Sequence, residues 1–129
     1  MAKLEKLILT GNKISNINIL KKVNFKELKE LNLSYNNISD ISVLEKVKSE
    51  KLEKLDLHLN EISNINKLEN VNFKELKELN LSKNNISDIS VLEKVRFEKL
   101  EKLDLGANNI DKNKFSSLFI QNLKFKINI

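Results

Sequence analysis

A 24-residue period runs through the chain and limits what it can fold into. Each period opens with L-x-x-L-x-L-x-x-N-x-I, as in the segment from Leu28 to Ile38, and the pattern recurs without a gap. Burying the ~7 apolar side chains of one unit contributes less free energy than ordering the unit costs, so the units must stack. The period therefore predicts a solenoid, one domain over residues 1–129, with repeats 4–27, 28–51, 52–75, 76–99 and 100–123.

The x-Leu-x-Leu-x stretch of each unit predicts a strand. Leu31 and Leu33 would face inward, and Glu30, Asn32 and Ser34 outward, because side chains alternate along a strand. Charges beside the strands alternate in sign from unit to unit, which predicts a ladder of ion pairs that fixes the register. The two columns are Glu5, Lys29, Glu53, Lys77, Glu101 and Lys6, Glu30, Lys54, Glu78, Lys102.

The repeat pattern resembles the leucine-rich-repeat family over essentially the whole chain. Its continuation, Ile-Ser-Asp-Ile-Ser-Val-Leu, resembles the subclass of phosphatase-1 regulators and bacterial internalins. The resemblance implies an α/β right-handed solenoid, with a concave parallel sheet of about six strands and short helical turns on the convex side. It also implies a structural ladder of inward-pointing asparagine amides that bond the backbone of adjacent turns: Asn12, Asn36, Asn60, Asn84 and Asn108.

The return path and the C-terminus carry helix signals. Ser42 and Glu45 have the spacing of a capping box, which predicts one helical turn there and at the equivalent positions of other units. Asp111 predicts the start of a C-terminal capping helix over about 112–123. A last edge strand is expected within 124–129, because Ile127 lies 24 residues after Leu103. The helix would present one apolar stripe: Phe115, Leu118, Phe119 and Leu123.

The positions at which near-identical units differ indicate where a partner would bind. Outward strand residues and the two residues that follow them would line the concave face. Tyr35, His58 and Leu59 give that face the aromatic and apolar composition that protein interfaces favour. Six strands at about 4.8 Å spacing span roughly 24 Å, enough for a helix or loop. The predicted partner-binding residues are Ile8, Thr10, Asn32, Ser34, Tyr35, Asp56, His58, Leu59, Asn80, Lys83 and Asp104.

Two alternatives to partner recognition stay open. The predicted partner-binding positions could be unconstrained surface. Alternatively, the chain could be a structural or self-assembling scaffold, natural or engineered. Self-association would use the N-terminal edge, which has only three residues before Leu4, or the C-terminal edge.

Composition and motifs disfavour the other function classes. The net charge of +5 is concentrated at the two ends rather than along a stripe, so nucleic acid is not expected as a partner. The chain lacks a membrane-length apolar run, and zero Cys with no signal region favours a cytoplasmic protein. One His, no Cys and no phosphate-binding loop predict a protein that is not an enzyme and has no metal or cofactor. His58, Asp56 and Ser34 would resemble a catalytic triad only superficially, since no oxyanion donor accompanies them.

Overall fold

Six short parallel strands form one sheet, in chain order from β1 to β6. The computed structural model describes residues 3–129, and each of the first five strands pairs with the residues 24 positions further along. This confirms the predicted solenoid and its parallel sheet, including the sixth strand at the C-terminus. The strands are β1 Lys6–Ile8, β2 Glu30–Asn32, β3 Lys54–Asp56, β4 Glu78–Asn80, β5 Lys102–Asp104 and β6 Lys126–Asn128.

The core follows from the spacing of the apolar residues. Leu31 and Leu33 are each 1% exposed, while Glu30 and Asn32, which alternate with them, are half-buried. Isoleucines of the return path pack behind the sheet, and Phe73 closes the far side of the core. Because every turn contributes the same positions, the core is continuous from repeat to repeat.

The convex side consists of short 3-10 turns rather than longer helices. They span Asn18–Lys22, Ser42–Lys46, Asn66–Asn70 and Ser90–Glu93. The helical turns were predicted correctly, but the capping box was not. The residue before the second turn is Ile41, which makes no side-chain cap. Asp40 Oδ1 instead accepts a hydrogen bond from the Ser42 amide at 2.9 Å, and Asp88 does the same for Ser90. An Asx turn formed by Asp40, two residues before Ser42, therefore starts the helical turn in place of the predicted Ser42 cap.

The C-terminal helix is much shorter than predicted. Helix α1 covers Ser117–Gln121 instead of 112–123, and Ser116 caps it by accepting from the Phe119 amide. Asp111 accepts a hydrogen bond from the amide of Asn113, so it starts a local turn and not the helix. Short polar side chains compete with helical hydrogen bonding in this way. In residues 3–129, no helix is long and apolar enough to cross a membrane.

Ion pairs link equivalent positions of neighbouring repeats. In the column that begins at Lys6, Nζ of that lysine lies 3.4 Å from Glu30, and Lys54 lies 3.8 Å from Glu78. The column that begins at Glu5 has pairs at 3.9 and 3.6 Å. A third alternating column, which sequence analysis missed, pairs Lys51 with Glu27 at 2.7 Å and Lys99 with Glu75 at 2.8 Å.

Candidate functional site

The ladder asparagines are occupied by the backbone. Nδ2 of Asn36 donates to the carbonyls of Leu33 at 2.9 Å and Leu9 at 3.0 Å. Oδ1 of Asn36 accepts from the Ile14 amide at 2.9 Å. Each asparagine thus joins its own turn to the preceding turn and satisfies groups that would be costly to bury unpaired. The pattern repeats at Asn60, Asn84 and Asn108, whereas the exposed Asn12 donates only to carbonyls of its own turn.

The residue before each ladder asparagine adopts a left-handed backbone conformation. Its φ lies between 54° and 73° in all five repeats. Only the first repeat has a glycine there, Gly11, and the other four residues bear a side chain in a conformation that disfavours one. Gly11 was the only signal of this in the sequence. The four are Tyr35, Leu59, Lys83 and Ala107.

The outward residues at the ends of four strands are fixed by hydrogen bonds. Oδ1 of Asn32, Asp56, Asn80 and Asp104 accepts the amide two residues further on, at 2.9 to 3.0 Å. These side chains are therefore held in one orientation before any partner arrives. Alternate repeats place an amide and a carboxylate in this row.

Ser34 differs from its predicted role because it is only 1% exposed. Its hydroxyl donates to Asn32 Oδ1 at 2.6 Å, and a further hydrogen bond of 3.2 Å joins it to the hydroxyl of Thr10. Ser34 is therefore unable to contact a partner, and the prediction that it lines the binding surface is wrong. It makes no hydrogen bond to His58, so the triad geometry is not formed either.

His58 is held between two neighbours. Its Nδ1 lies 2.7 Å from Asp56 Oδ1, and its ring contacts the ring of Tyr35 edge-on, with centroids 5.4 Å apart and planes at 80°. Edge-to-face contact is a favourable arrangement of aromatic rings. Tyr35 belongs to the second repeat and His58 to the third, so the contact between their rings links these two repeats.

An aromatic and apolar surface results at the N-terminal half of the sheet. We call Ile8, Tyr35, His58 and Leu59 the concave patch. Ile8 is 52% and Tyr35 56% exposed, while His58 and Leu59 are half-buried. Six other predicted residues lie outside the concave patch. Thr10, Asn32 and Asp56 are polar positions beside it, and Asn80, Lys83 and Asp104 give the C-terminal half of the sheet a polar surface.

A shallow groove runs beside the row of fixed Asn and Asp side chains. Its volume is about 290 Å³, and both the half-buried Asp56 and the ion pair between Lys54 and Glu78 lie in its wall. Four carboxylates and two lysines line this groove, so its wall carries a net negative charge. Within residues 3–129, no three His, Asp or Glu side chains cluster so that they could hold a metal ion.

Comparison with known proteins agrees with the geometry of the repeat. A family model described as leucine-rich repeats (2 copies) matches residues 2–46, 26–70 and 74–124. The chain belongs to the leucine-rich-repeat family. Leucine-rich-repeat folds are general protein-interaction modules and typically non-enzymatic scaffolds. A search of curated proteins found no match.

Two solved internalin structures from Listeria monocytogenes are similar to this leucine-rich-repeat chain. Internalin InlF has 32% sequence identity and a TM-score of 0.72, and internalin C2 has 26% identity and a TM-score of 0.73. Each match covers 96% of this chain but only 34% of the first internalin and 51% of the second. The predicted internalin-like character is confirmed.

Proposed function

We propose that this leucine-rich-repeat protein binds a helix or loop of another protein on its concave patch. The observation that carries the proposal is Tyr35, which is 56% exposed and whose ring contacts His58. In the fourth repeat, which differs from the second at only three of 24 positions, the equivalent residue is Lys83. Both residues have the same φ within 2°. The fold therefore does not require tyrosine at this position.

The physical properties of the concave patch suit recognition. A tyrosine loses little conformational entropy when a partner covers it, and tyrosine is enriched among residues that dominate binding energy. His58 is already positioned by its hydrogen bond to Asp56, so a partner would not have to order it. Ile8 adds exposed apolar area on the adjacent strand. The polar half of the sheet, with Asn80, Lys83 and Asp104, would form one side of the rim.

The test is quantitative affinity capture from a lysate of the source cell, with candidate partners then titrated individually. Tyr35→Lys makes the second repeat match the fourth at this position, and Lys83→Ala is the control at the equivalent backbone site. We expect the wild type and Lys83→Ala to bind the same partner with similar affinity. Tyr35→Lys should bind that partner at least about tenfold more weakly than the wild type. A partner bound equally by all three proteins would refute recognition by the concave patch.

A structural or self-assembling scaffold is the second candidate, and the near-identity of repeats 28–51 and 76–99 favours it. A scaffold without a dedicated ligand would capture no partner in the same experiment. Its mass by analytical ultracentrifugation would rise with protein concentration. A mass that stays constant, together with a partner lost in Tyr35→Lys, would exclude this candidate.

A further inference from the structure

The third repeat carries an Asp–His pair at the position where the second and fourth repeats carry Asn and Ser. In the fourth repeat, Oδ1 of Asn80 accepts hydrogen bonds from the amide and the hydroxyl of Ser82, at 3.0 and 2.7 Å. In the third, Oδ1 of Asp56 accepts from the amide of His58 at 3.0 Å and lies 2.7 Å from Nδ1 of its ring. The turn therefore requires neither a carboxylate nor an imidazole, and the third repeat has both.

The hydrogen bond to Asp56 determines which ring nitrogen of His58 carries the proton. A carboxylate only accepts hydrogen bonds, so Nδ1 is the donor, and Nε2 of the neutral ring is left as an acceptor. Within residues 3–129, Nε2 has no hydrogen-bond partner. It is not buried either, because the hydroxyl of Ser49 is the one buried side-chain polar atom without a partner in the described structure. Nε2 is therefore an accessible acceptor in the concave patch.

The second oxygen of Asp56 is also an accessible acceptor. Both hydrogen bonds of this carboxylate are made by Oδ1, and no lysine or arginine of the described chain forms an ion pair with it. Oδ2 is not among the buried atoms without a partner. In Asn32 and Asn80 the equivalent atom is Nδ2, which is a donor. The third repeat thus presents acceptors at the position where its two neighbours present a donor.

The groove beside Asp56 adds negative charge. Four carboxylates and two lysines line it, and one of these lysines, Lys54, already pairs with Glu78 at 3.8 Å. The net charge of the whole chain is +5, but charges beyond about 8 Å are largely screened at physiological ionic strength, so the nearby carboxylates dominate. The four are Glu30, Asp56, Glu78 and Asp104.

Apolar surface lies directly beside the two acceptors. The ring of Tyr35 contacts the ring of His58, and Tyr35 is 56% exposed. A partner that covers these rings takes water away from Nε2 of His58 and from the carboxylate that contacts it. An acceptor that is buried without a donor is costly, so a partner must supply donors here. Lysine and arginine side chains carry several donors and no acceptor, and their charge matches the groove.

We propose that the Asp56–His58 pair determines the specificity of the concave patch by selecting a partner segment with a lysine or arginine next to an apolar residue. The cationic group donates to Oδ2 of Asp56 and Nε2 of His58, and the apolar side chain packs on Tyr35. On a helix, residues three or four apart lie about 5–6 Å from each other, close to the strand spacing of about 4.8 Å, so the two side chains stand at that separation. This proposal rests on the proposed function, in which the concave patch binds another protein.

The experiment uses a phage-displayed library of random dodecapeptides as the probe, selected on the full chain. Asp56→Asn/His58→Ser gives the third repeat the pair found in the second and fourth, so the fold should be retained, and circular dichroism checks this. The matched control, Glu61→Gln, removes one carboxylate from the same repeat and keeps the oxygen that accepts from Asn37 at 3.3 Å. Tyr35→Lys reports on the proposed function itself.

We expect the selected peptides to contain lysine or arginine next to an apolar residue. By fluorescence anisotropy they should bind Asp56→Asn/His58→Ser at least about tenfold more weakly than the wild type. The loss with Glu61→Gln should stay below about threefold, because its carboxylate does not line the groove. If the double variant does not fold, Asp56→Asn alone should show the same loss.

Nitrogen-15 NMR of the imidazole provides a measurement that needs no ligand. His58 is the only histidine in the sequence, so its ring signals are unambiguous. At about pH 8, above the range in which imidazole ordinarily titrates, we expect Nδ1 to be protonated and Nε2 to be unprotonated. A proton on Nε2 would overturn the proposal, because that nitrogen could not accept from a cationic group.

The peptide measurements separate this proposal from the proposed function. Peptides that bind Tyr35→Lys weakly but bind Asp56→Asn/His58→Ser as well as the wild type would overturn the specificity proposal and leave recognition by the concave patch standing. Peptides with an acidic residue in place of the basic one would overturn it as well. A library that yields no peptide dependent on Tyr35 would contradict both proposals.

Discussion

Asn60 provides the most direct test of the hydrogen bonds that hold adjacent turns together. Its Nδ2 donates to the carbonyls of Leu33 and Leu57, and its Oδ1 accepts from the amide of Ile38. The residue is 8% exposed, so water is poorly placed to replace these bonds. Asn60→Ala would leave up to three buried backbone groups unpaired. At about 1–3 kcal/mol for each unsatisfied group, the loss of all three partners should lower the free energy of unfolding by about 3–9 kcal/mol.

The matched control is Asn12→Ala in the first repeat. Asn12 is exposed and its amide donates only to Leu9 and Thr10 of its own turn, so the loss should stay below about 1 kcal/mol. Urea unfolding followed by circular dichroism gives both values, with the slope checked for constancy. If Asn60→Ala and Asn12→Ala were equally destabilising, hydrogen bonding between turns would not be the main role of the ladder.

Three further predictions concern single positions. Ser49 is buried and its hydroxyl has no hydrogen-bond partner in the described structure, so Ser49→Ala should raise the free energy of unfolding by about 1 kcal/mol in urea titration, whereas no change would mean that the hydroxyl is hydrated. Ala107 has a φ of +54°, so Ala107→Gly should stabilise by about 0.5–1 kcal/mol and Ala107→Val should destabilise; the opposite order in thermal melts would contradict the left-handed assignment. Hydrogen bonds from Ser42 and Ser90 lower the pKa values of Asp40 and Asp88, so these carboxylates stabilise the fold above their unfolded pKa and the stabilisation is lost as the pH falls through the lower folded values. The urea midpoint of the wild type should therefore drop more steeply below about pH 4 than that of Asp40→Asn/Asp88→Asn. Parallel curves for the two proteins would refute this linkage between protonation and stability.

The fold could be predicted from the sequence because the same pattern of apolar residues and asparagines recurs in five repeats. The 24-residue spacing of Leu28 and Leu52 sets the strand register, and the structure pairs the strands at that spacing. Even the short C-terminal strand followed from the position of Ile127 relative to Leu103. Stacking makes each position in one repeat a neighbour of its equivalent in the next, so one periodic pattern fixes many contacts at once.

Local hydrogen-bond competition could not be predicted in the same way. Ser42 and Asp40 are both plausible caps by residue type, and the backbone geometry of the return path selects Asp40. Asp111 and Ser116 compete similarly at the C-terminus, and the helix begins after Ser116. Sequence spacing identifies residues able to cap a turn, but the choice among them depends on dihedral angles that the rest of the fold imposes.

The candidate site was inferred from differences between repeats, and the structure shows that some of these differences lie at buried positions and others at exposed positions. Ser34 aligns with His58 along the sheet, yet packing between Thr10 and Asn32 buries its hydroxyl, so variation there reflects local hydrogen bonding. Tyr35 and Lys83 are different, because they share φ and the same exposed backbone position in nearly identical repeats. Neither side chain relieves the strain of a left-handed residue, which glycine would relieve better. The edge-to-face contact with His58 stabilises the Tyr35 side chain but leaves 56% of the residue exposed, and this exposed aromatic area is the physical reason for proposing Tyr35 as a recognition residue.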